Sequence, residues 1–407
     1  MIFKHKATLL RPSDKVILLV SKLISTENDI AKIDALLPQI NNWDAFAVQV
    51  VKRGVAGFFI NKLDQFKNKK LIPNEIIFQI EQSYLQTINR SILLLGHYSN
   101  AANALQSHEI DVIALKGIYL TEHLYLKIGL RQFSDIDILI RPNNAQKAVE
   151  ILKSLGYRYR KSVPVSDYIR EKSDFVHLPP MSLNGVSIEL HIKLHREVEK
   201  FKMNMDRVFA SKISANINGN EGYALDTPHQ IIHVALHAHK HFEEGNVNFT
   251  SFIDLANLLD TLPNDFYWKS FEKLCEAYKA TDIVFRYILM VSEFFELESI
   301  PEIILKKYAG KIKTKHKRKF ILYLQGYKYT EPSKTAIPGH LNNLQLLSDP
   351  KDIAKYLIDL FFPSKKFMVE KYDIKNQKLF LLYYPFRYLT IISGLWHIIS
   401  KKLKTRA

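Results

Sequence analysis

Cysteine is almost missing from this chain, with Cys275 as the single example among 407 residues. One thiol excludes an intramolecular disulfide and a zinc site built from cysteines, and it fits a reducing compartment. The amino-terminal segment MIFKHKATLLRPSDK lacks an apolar run long enough for a secretory signal, so we expect a cytoplasmic protein. Low-complexity linkers and short-period repeats are also missing, as is usual for a globular protein.

Acidic residues are fewer than basic ones, 41 against 57, which leaves a formal net charge of +16. Such an excess raises the affinity for nucleotides, nucleic acid or an acidic membrane surface. A basic background spread over solvated faces explains the same composition. The densest basic run, residues 311–319, lacks the interleaved aromatic residues of a single-strand binding platform. The sequence is therefore compatible with nucleic acid as a partner but does not indicate it.

Apolar residues recur at helical spacing through residues 16–24, 43–63 and 76–105. Residues 143–155 combine an Asn at the start with an apolar stripe, and Gly156 follows them, as at the end of a helix. The pattern is helical again from Thr227. A helix can begin there, since the proline that follows Thr227 is tolerated in a first helical turn.

Between these helices lie segments with the period of a strand. Residues 111–115 form a short apolar run, and residues 133–140 and 186–191 alternate between apolar and polar side chains. We therefore predict an α+β fold with a small mixed-sheet core between two helical regions. The predicted boundaries are an N-terminal helical region at 1–107, the core at 108–222 and a C-terminal helical domain at 223–407.

Two acids stand on one face of the first long strand. Asp135 and Asp137 are two residues apart and therefore project to the same side, opposite Ile136 and Ile138. Adjacent carboxylates repel each other, and burying either one without a partner is costly. A divalent cation resolves that conflict, and oxygen ligands suit Mg²⁺. The alternative is that Asp135 and Asp137 are ordinary exposed residues of an edge strand, in which case the pair has no function.

A third acid comes from the later strand, where Glu189 lies on the face opposite Val186, Ile188 and Leu190. If the two strands are neighbours, their aliphatic faces share one core and the three acids converge. The acids would then hold two Mg²⁺ ions, with Glu189 completing the metal cage or acting as the base for the attacking hydroxyl.

The residues before the acidic strand supply positive charge. Gly117 follows a buried strand, which lets the backbone approach a phosphate, and amides at the start of the next helix bind anions. Lys116 and Arg131 are candidates to neutralise a triphosphate. Together with Ser134, they make up the predicted nucleotide-binding set.

The segments LKG, GLRQFSDIDILI and IELH resemble the uncharacterised nucleotidyltransferase family of bacteria, which belongs to the DNA polymerase β-like superfamily. The resemblance implies that fold, magnesium chemistry at Asp135, Asp137 and Glu189, and an NTP such as ATP as the donor substrate. Lys116-Gly117 replaces the Gly-Gly or Gly-Ser turn that is usual in the superfamily. The acceptor does not follow, because such folds act on many acceptors.

Histidines at helical spacing follow the core, with His233, His237 and His241 four residues apart on one face. Relatives in the family carry histidines at the places of His237 and His241 and an acid at the place of Asp254. The resemblance therefore allows a supporting role for these three near the nucleotide or metals. We favour the other interpretation, a helix face whose imidazoles form hydrogen bonds to neighbouring polar groups.

The aromatic, apolar stretch at residues 379–399 has the length needed to span a bilayer, but Pro385, Arg387 and His397 interrupt it. We expect it to pack on the domain; an interfacial helix, and so peripheral membrane contact, is the first alternative, and a spanning helix is the second.

The sequence therefore predicts a metal-dependent nucleotidyltransferase that acts on an unidentified hydroxyl. Two alternatives stay open. One is a nucleotidyltransferase that modifies a macromolecule, either tRNA or protein. The other is a non-catalytic nucleotide- or partner-binding protein of the same fold.

Overall fold

The structure is a computed structural model that describes residues 10–159, 176–195, 202–243, 247–326, 354, 357–358, 361–362, 365–372, 374 and 376–389. The helices that concern us are α1 Pro12–Val20, α2 Glu27–Leu36, α3 Trp43–Lys52, α4 Ala56–Lys62, α5 Asn74–Gln106, α6 Lys116–His123, α7 Ala145–Ser154, α8 Met205–Ala210, α9 Thr227–Glu243, α10 Phe249–Asp260, α11 Trp268–Ala277, α12 Thr281–Phe294, α13 Glu302–Tyr308, α14 Thr314–Leu324 and α15 Lys365–Tyr372. The strands are β1 Ile113–Ala114, β2 Asp135–Leu139, β3 Arg158–Tyr159, β4 Met181–Leu183, β5 Val186–His191, β6 Ile213–Ile217 and β7 Asn220–Ala224.

The strands form one mixed sheet in the order β3-β4-β5-β2-β1-β7-β6. Two neighbouring pairs, β2 with β5 and β1 with β7, are parallel, and the other pairs are antiparallel. The parallel pairing of β2 with β5 puts the two predicted acidic strands side by side near the middle of the sheet. The predicted α+β fold with a mixed sheet and flanking helices is confirmed.

One face of the sheet is covered by helices. Ile136, Ile138 and Ile140 are fully buried there and share a core with apolar residues of α5, such as Leu94 and Tyr98, and of α7. Burying an aliphatic side chain of this size stabilises the fold by about 1.5–3 kcal/mol. The strand therefore has a strong reason to turn its isoleucines to the helices, and its aspartates face the other way.

The long predicted helix at residues 43–63 is interrupted. α3 ends at Lys52, and the chain turns through Gly54, whose φ of +70° is favourable only for glycine, before α4 begins. By contrast, α5 runs unbroken through the predicted segment, from two residues before it to one residue after it. Periodicity alone does not distinguish a continuous helix from two helices that share an apolar face.

Residues group into two compact units, Arg11–Lys240 with Asn248–Ile312, and Met1–Leu10 with His241–Val247 and Lys313–Ala407. The first unit holds the whole sheet. In the second, Lys319 lies 4.6 Å from the centre of the Phe242 ring. The three-part division predicted from sequence stays a prediction.

In the part of the chain described here, no helix has the length and apolar character needed to cross a membrane. Residues 390–399, half of the aromatic C-terminal stretch, lie outside the described residues. Their packed or interfacial position therefore stays a prediction.

A buried lysine joins two helices of the first unit and makes a pH dependence predictable. The Lys62 ammonium donates hydrogen bonds to the carbonyl oxygens of Val20 (2.8 Å), the last residue of α1, and of Lys22, two residues later. Burial lowers the pKa of Lys62 from 10.5 to about 7. Between those values the unfolded chain binds more protons than the folded chain, so stability should rise with pH.

We expect the unfolding free energy of wild type, relative to Lys62→Met, to increase by about 2 kcal/mol from pH 7 to pH 9. Urea denaturation of both proteins at several pH values measures the difference. Parallel curves for the two proteins would show that Lys62 has an ordinary pKa in the folded state.

Candidate active site

The acids of the two central strands meet through the sheet register. Asp137 lies directly opposite Glu189, and Asp135 lies opposite Ser187. Paired positions of parallel neighbours project to the same face, so the three carboxylates share the side of the sheet opposite α5 and α7. One ligand atom from each of Asp137, Glu189 and His191 lies within 4.8 Å of the other two.

Asp137 is buried and fully engaged. Its Oδ2 lies 3.2 Å from the Lys116 ammonium, and its Oδ1 lies 2.7 Å from His191 Nε2. Burial opposes ionisation, but Lys116 and the hydrogen bond from His191 outweigh it and hold the pKa of Asp137 well below its usual range. This carboxylate is therefore charged at neutral pH and fixed in orientation.

The negative charges of Asp135 and Glu189 are not neutralised in this way. Burial raises the pKa of Asp135, and the charge of Asp137 adds to the effect. Burial also raises the pKa of Glu189, with Asp137 and Asp135 contributing, while His177 opposes the shift. Unmet negative charge on a half-buried surface is what a divalent cation neutralises, and the oxygen donors suit Mg²⁺. The donor set therefore fits a metal ion.

His191 was not among the residues predicted from sequence. Its Nδ1 is buried and has no hydrogen-bond partner among the described residues. A buried N–H without an acceptor is costly, so the proton belongs on Nε2, which donates to Asp137. His191 follows Glu189 by two residues on a strand, so strand periodicity was a signal that could have identified it.

The Lys-Gly turn lies beside these acids. Lys116 opens α6 with a φ of +40°, a left-handed conformation that costs energy for a residue with a side chain. A Cβ on Gly117 would lie 2.8 Å from Arg131 Nη1 and 2.8 Å from the Phe133 ring. Only glycine therefore lets the start of α6 approach the loop before β2.

Replacing Gly117 by alanine should weaken binding of the predicted NTP substrate about tenfold or more and destabilise the protein by about 1–3 kcal/mol, as overpacking does. The matched control is Gly96→Ala on α5, where a Cβ meets nothing within 4 Å. That change should be neutral or stabilising by up to about 1 kcal/mol. Calorimetric titration and thermal melting measure both effects. Equal NTP affinities of the two variants would refute the close-approach argument.

Arg131 is held by an acid far away in the chain. Its guanidinium donates to both carboxylate oxygens of Asp254, with contacts of 2.7 to 3.1 Å, and the Tyr125 hydroxyl donates to the same carboxylate at 2.8 Å. The position of its Nη1 near Gly117 brings the charge to the Lys-Gly turn. Asp254 is thus connected to the predicted nucleotide-binding set through Arg131. Contact of Arg131 with phosphate stays a prediction.

The histidines of α9 divide between two surroundings. His237 Nδ1 lies 2.9 Å from the Ser251 hydroxyl, and its charge contributes to lowering the pKa of Asp137. His233 Nδ1 lies 3.0 Å from His195 Nε2. Burial lowers the pKa of His195 to about 3 and that of His233 well below its usual range, so both rings are neutral.

His241 lies in the last turn of α9 and belongs to the second compact unit. Its role near the nucleotide stays a prediction. Ser134 lies just before β2, and its carbonyl oxygen accepts a hydrogen bond from Arg90 at 2.8 Å. Its side chain is exposed, and its contact with nucleotide also stays a prediction.

Comparison with known families decides the class of protein. The model of a family described as Uncharacterised nucleotidyltransferase matches residues 40–296, a range that contains both acidic strands, the Lys-Gly turn and Asp254. The chain belongs to that family. No curated protein and no solved structure matches it. Membership in a nucleotidyltransferase family, predicted from the LKG, DID and IELH segments, is thereby confirmed.

Proposed function

We propose that this nucleotidyltransferase transfers a nucleoside monophosphate from an NTP to an acceptor hydroxyl and releases pyrophosphate. One observation carries the proposal: Asp137 and Glu189 are register partners on neighbouring strands, with Asp135 on the same face, in a chain of this family. The cation held there would be Mg²⁺, in one or two sites, and ATP is the donor to test first.

The residues of the candidate site have different proposed roles. Asp135, Asp137 and Glu189 are the groups that would hold the metal, which when bound neutralises the triphosphate and orients it. Lys116 already lies 3.2 Å from Asp137 Oδ2, so a phosphate bound near that oxygen meets an ammonium group in place. Gly117 lets the amides at the start of α6 approach the phosphate.

In the proposed reaction the acceptor oxygen forms a bond to the α-phosphorus while the bond from that phosphorus to the bridging oxygen breaks. Pyrophosphate leaves with the electron pair of the broken bond. The proton of the acceptor passes to the Glu189 carboxylate and then to solvent. Glu189 lies on the same face of the sheet as the two aspartates, which supports this role as the base.

Calorimetric titration of each NTP, with and without Mg²⁺, tests the proposal. Wild type should bind one NTP only when Mg²⁺ is present, and the Asp135→Asn/Asp137→Asn variant should lose that binding. Incubation with α-³²P-labelled NTP and a cell extract then shows whether the label enters a small molecule, RNA or protein. If folded wild type binds no NTP under any condition, the proposal is wrong. If it binds NTP but never transfers label, the non-catalytic alternative is supported.

A further inference from the structure

A second imidazole lies at the open edge of the acidic face. His177 bridges to His191 across an antiparallel pair, and their ring centres are 5.2 Å apart. The neighbouring amide of Leu178 donates to Leu190 of β5 at 2.8 Å. His177 is therefore positioned by main-chain hydrogen bonds, although its side chain is 35% exposed.

The hydrogen bond made by this ring decides where its lone pair lies. His177 Nδ1 is 2.8 Å from the carbonyl oxygen of Leu178, and a carbonyl only accepts, so Nδ1 carries a proton. In the neutral ring Nε2 then has the lone pair. A ligating histidine usually donates its other N–H to a backbone carbonyl or a carboxylate in this way, which fixes the tautomer.

That lone pair stands near a carboxylate oxygen. His177 Nε2 is 3.7 Å from Glu189 Oε2, too far for a hydrogen bond. Metal–ligand bonds of about 2.1 Å put neighbouring ligand atoms of one ion about 3.0 to 3.4 Å apart. Two acceptors 3.7 Å apart repel unless a positive charge lies between them, and this gap is wider than a coordination edge by only a few tenths of an ångström.

His191 does not compete for this position. Its Nε2 is 3.8 Å from the same Glu189 oxygen, but it donates its proton to Asp137 Oδ1 at 2.7 Å. His177 is therefore the imidazole of the pair whose lone pair is available to an ion at Glu189. Its nitrogen also changes the donor set, because imidazole is a softer ligand than oxygen and binds transition ions such as Mn²⁺ or Co²⁺ more readily than it binds Mg²⁺.

We propose that His177 is a metal ligand that, with Glu189, binds a divalent cation at the open edge of the acidic face, and that this nitrogen makes the site prefer Mn²⁺ to Mg²⁺. The inference rests on the proposed function, since Glu189 belongs to both. Glu189 Oε2 faces the ion, and Oε1 is left to take the acceptor proton.

Binding of Mn²⁺ alone, without nucleotide, tests the inference in the full chain. Free Mn²⁺ is measured by its electron paramagnetic resonance signal, and bound Mn²⁺ is examined for spin-echo modulation from a coordinated ¹⁴N nucleus. The variant is His177→Gln, which keeps a polar side chain at a partly exposed position. The control is His108→Gln, at an exposed histidine just after α5, whose Nδ1 bonds to a carbonyl of that helix.

Wild type and the control should show ¹⁴N modulation and should bind Mn²⁺ at least about tenfold more tightly than His177→Gln, which should show none. Wild-type spectra without ¹⁴N modulation, or modulation that persists in His177→Gln, would overturn the inference. Titration of NTP in the same samples separates the two proposals. If NTP binds with Mg²⁺ but bound Mn²⁺ shows no nitrogen ligand, the proposed function is retained and the His177 site is rejected. If bound Mn²⁺ shows the nitrogen ligand but no NTP binds, the His177 site is retained and the proposed function is rejected.

Discussion

Replacing Glu189 by glutamine should reduce nucleotidyl transfer about 10³-fold, the scale of a lost general base, while NTP binding stays within a few-fold of wild type. Glutamine keeps the shape of the side chain and an oxygen that can approach a metal, but it cannot accept the proton of the acceptor. The aspartates of β2 stay in place to hold the nucleotide. The initial rate of label transfer from α-³²P-ATP, per mole of enzyme, measures the first effect, and calorimetry measures the second.

The control for this experiment is Glu221→Gln, at an exposed glutamate of β7 in the same sheet. It should transfer label at the wild-type rate. A Glu189→Gln enzyme that keeps a tenth or more of the wild-type rate would show that another group accepts the proton.

Replacing Asp254 by asparagine should lower the free energy of unfolding by about 3–5 kcal/mol, because it leaves a buried guanidinium without its counter-charge. The side chains of Arg131 and Asp254 are 8% and 2% exposed, so water cannot compensate the loss. The Tyr125 hydroxyl would also lose an acceptor for its charge-assisted hydrogen bond. Urea denaturation followed by circular dichroism measures the change.

An exposed ion pair is the matched control. Glu302 and Lys306 form an i, i+4 pair on α13 at 2.8 Å, with side chains 78% and 74% exposed. Glu302→Gln should change the free energy of unfolding by about 0.5 kcal/mol or less. The double variant Arg131→Met/Asp254→Leu should recover most of the stability that Asp254→Asn loses. Equal effects of Asp254→Asn and Glu302→Gln would mean that the buried pair is hydrated.

The strands of the candidate site were predictable because both have one buried face. β5 occupies residues 186–191, the segment whose alternation predicts it, and β2 lies within the predicted 133–140. The convergence of Asp137 and Glu189 was predicted only on the condition that their two strands are neighbours. Alternation tells which face a side chain takes, but it carries no information about which strands pair.

Other parts of the site depend on contacts that local patterns do not contain. The partner of Arg131 is Asp254, 123 positions later, and α10, which carries it, shows only an ordinary apolar stripe. His177 reaches Glu189 through a bridge to β5 in a segment too short for any period to appear. Strands β3, β6 and β7 are short or largely exposed, so their alternation is weak.

The parallel pairing of β2 with β5 has a consequence for how the protein is made. Asp137 leaves the ribosome well before its partner Glu189, and β1 must wait longer still for β7 to lie beside it. Contacts so distant in sequence form slowly, because the intervening chain must first be brought together. Until then the nascent protein carries the aspartates without a site. The onset of the proposed magnesium-dependent nucleotide binding during refolding should therefore mark the moment at which the central strands join.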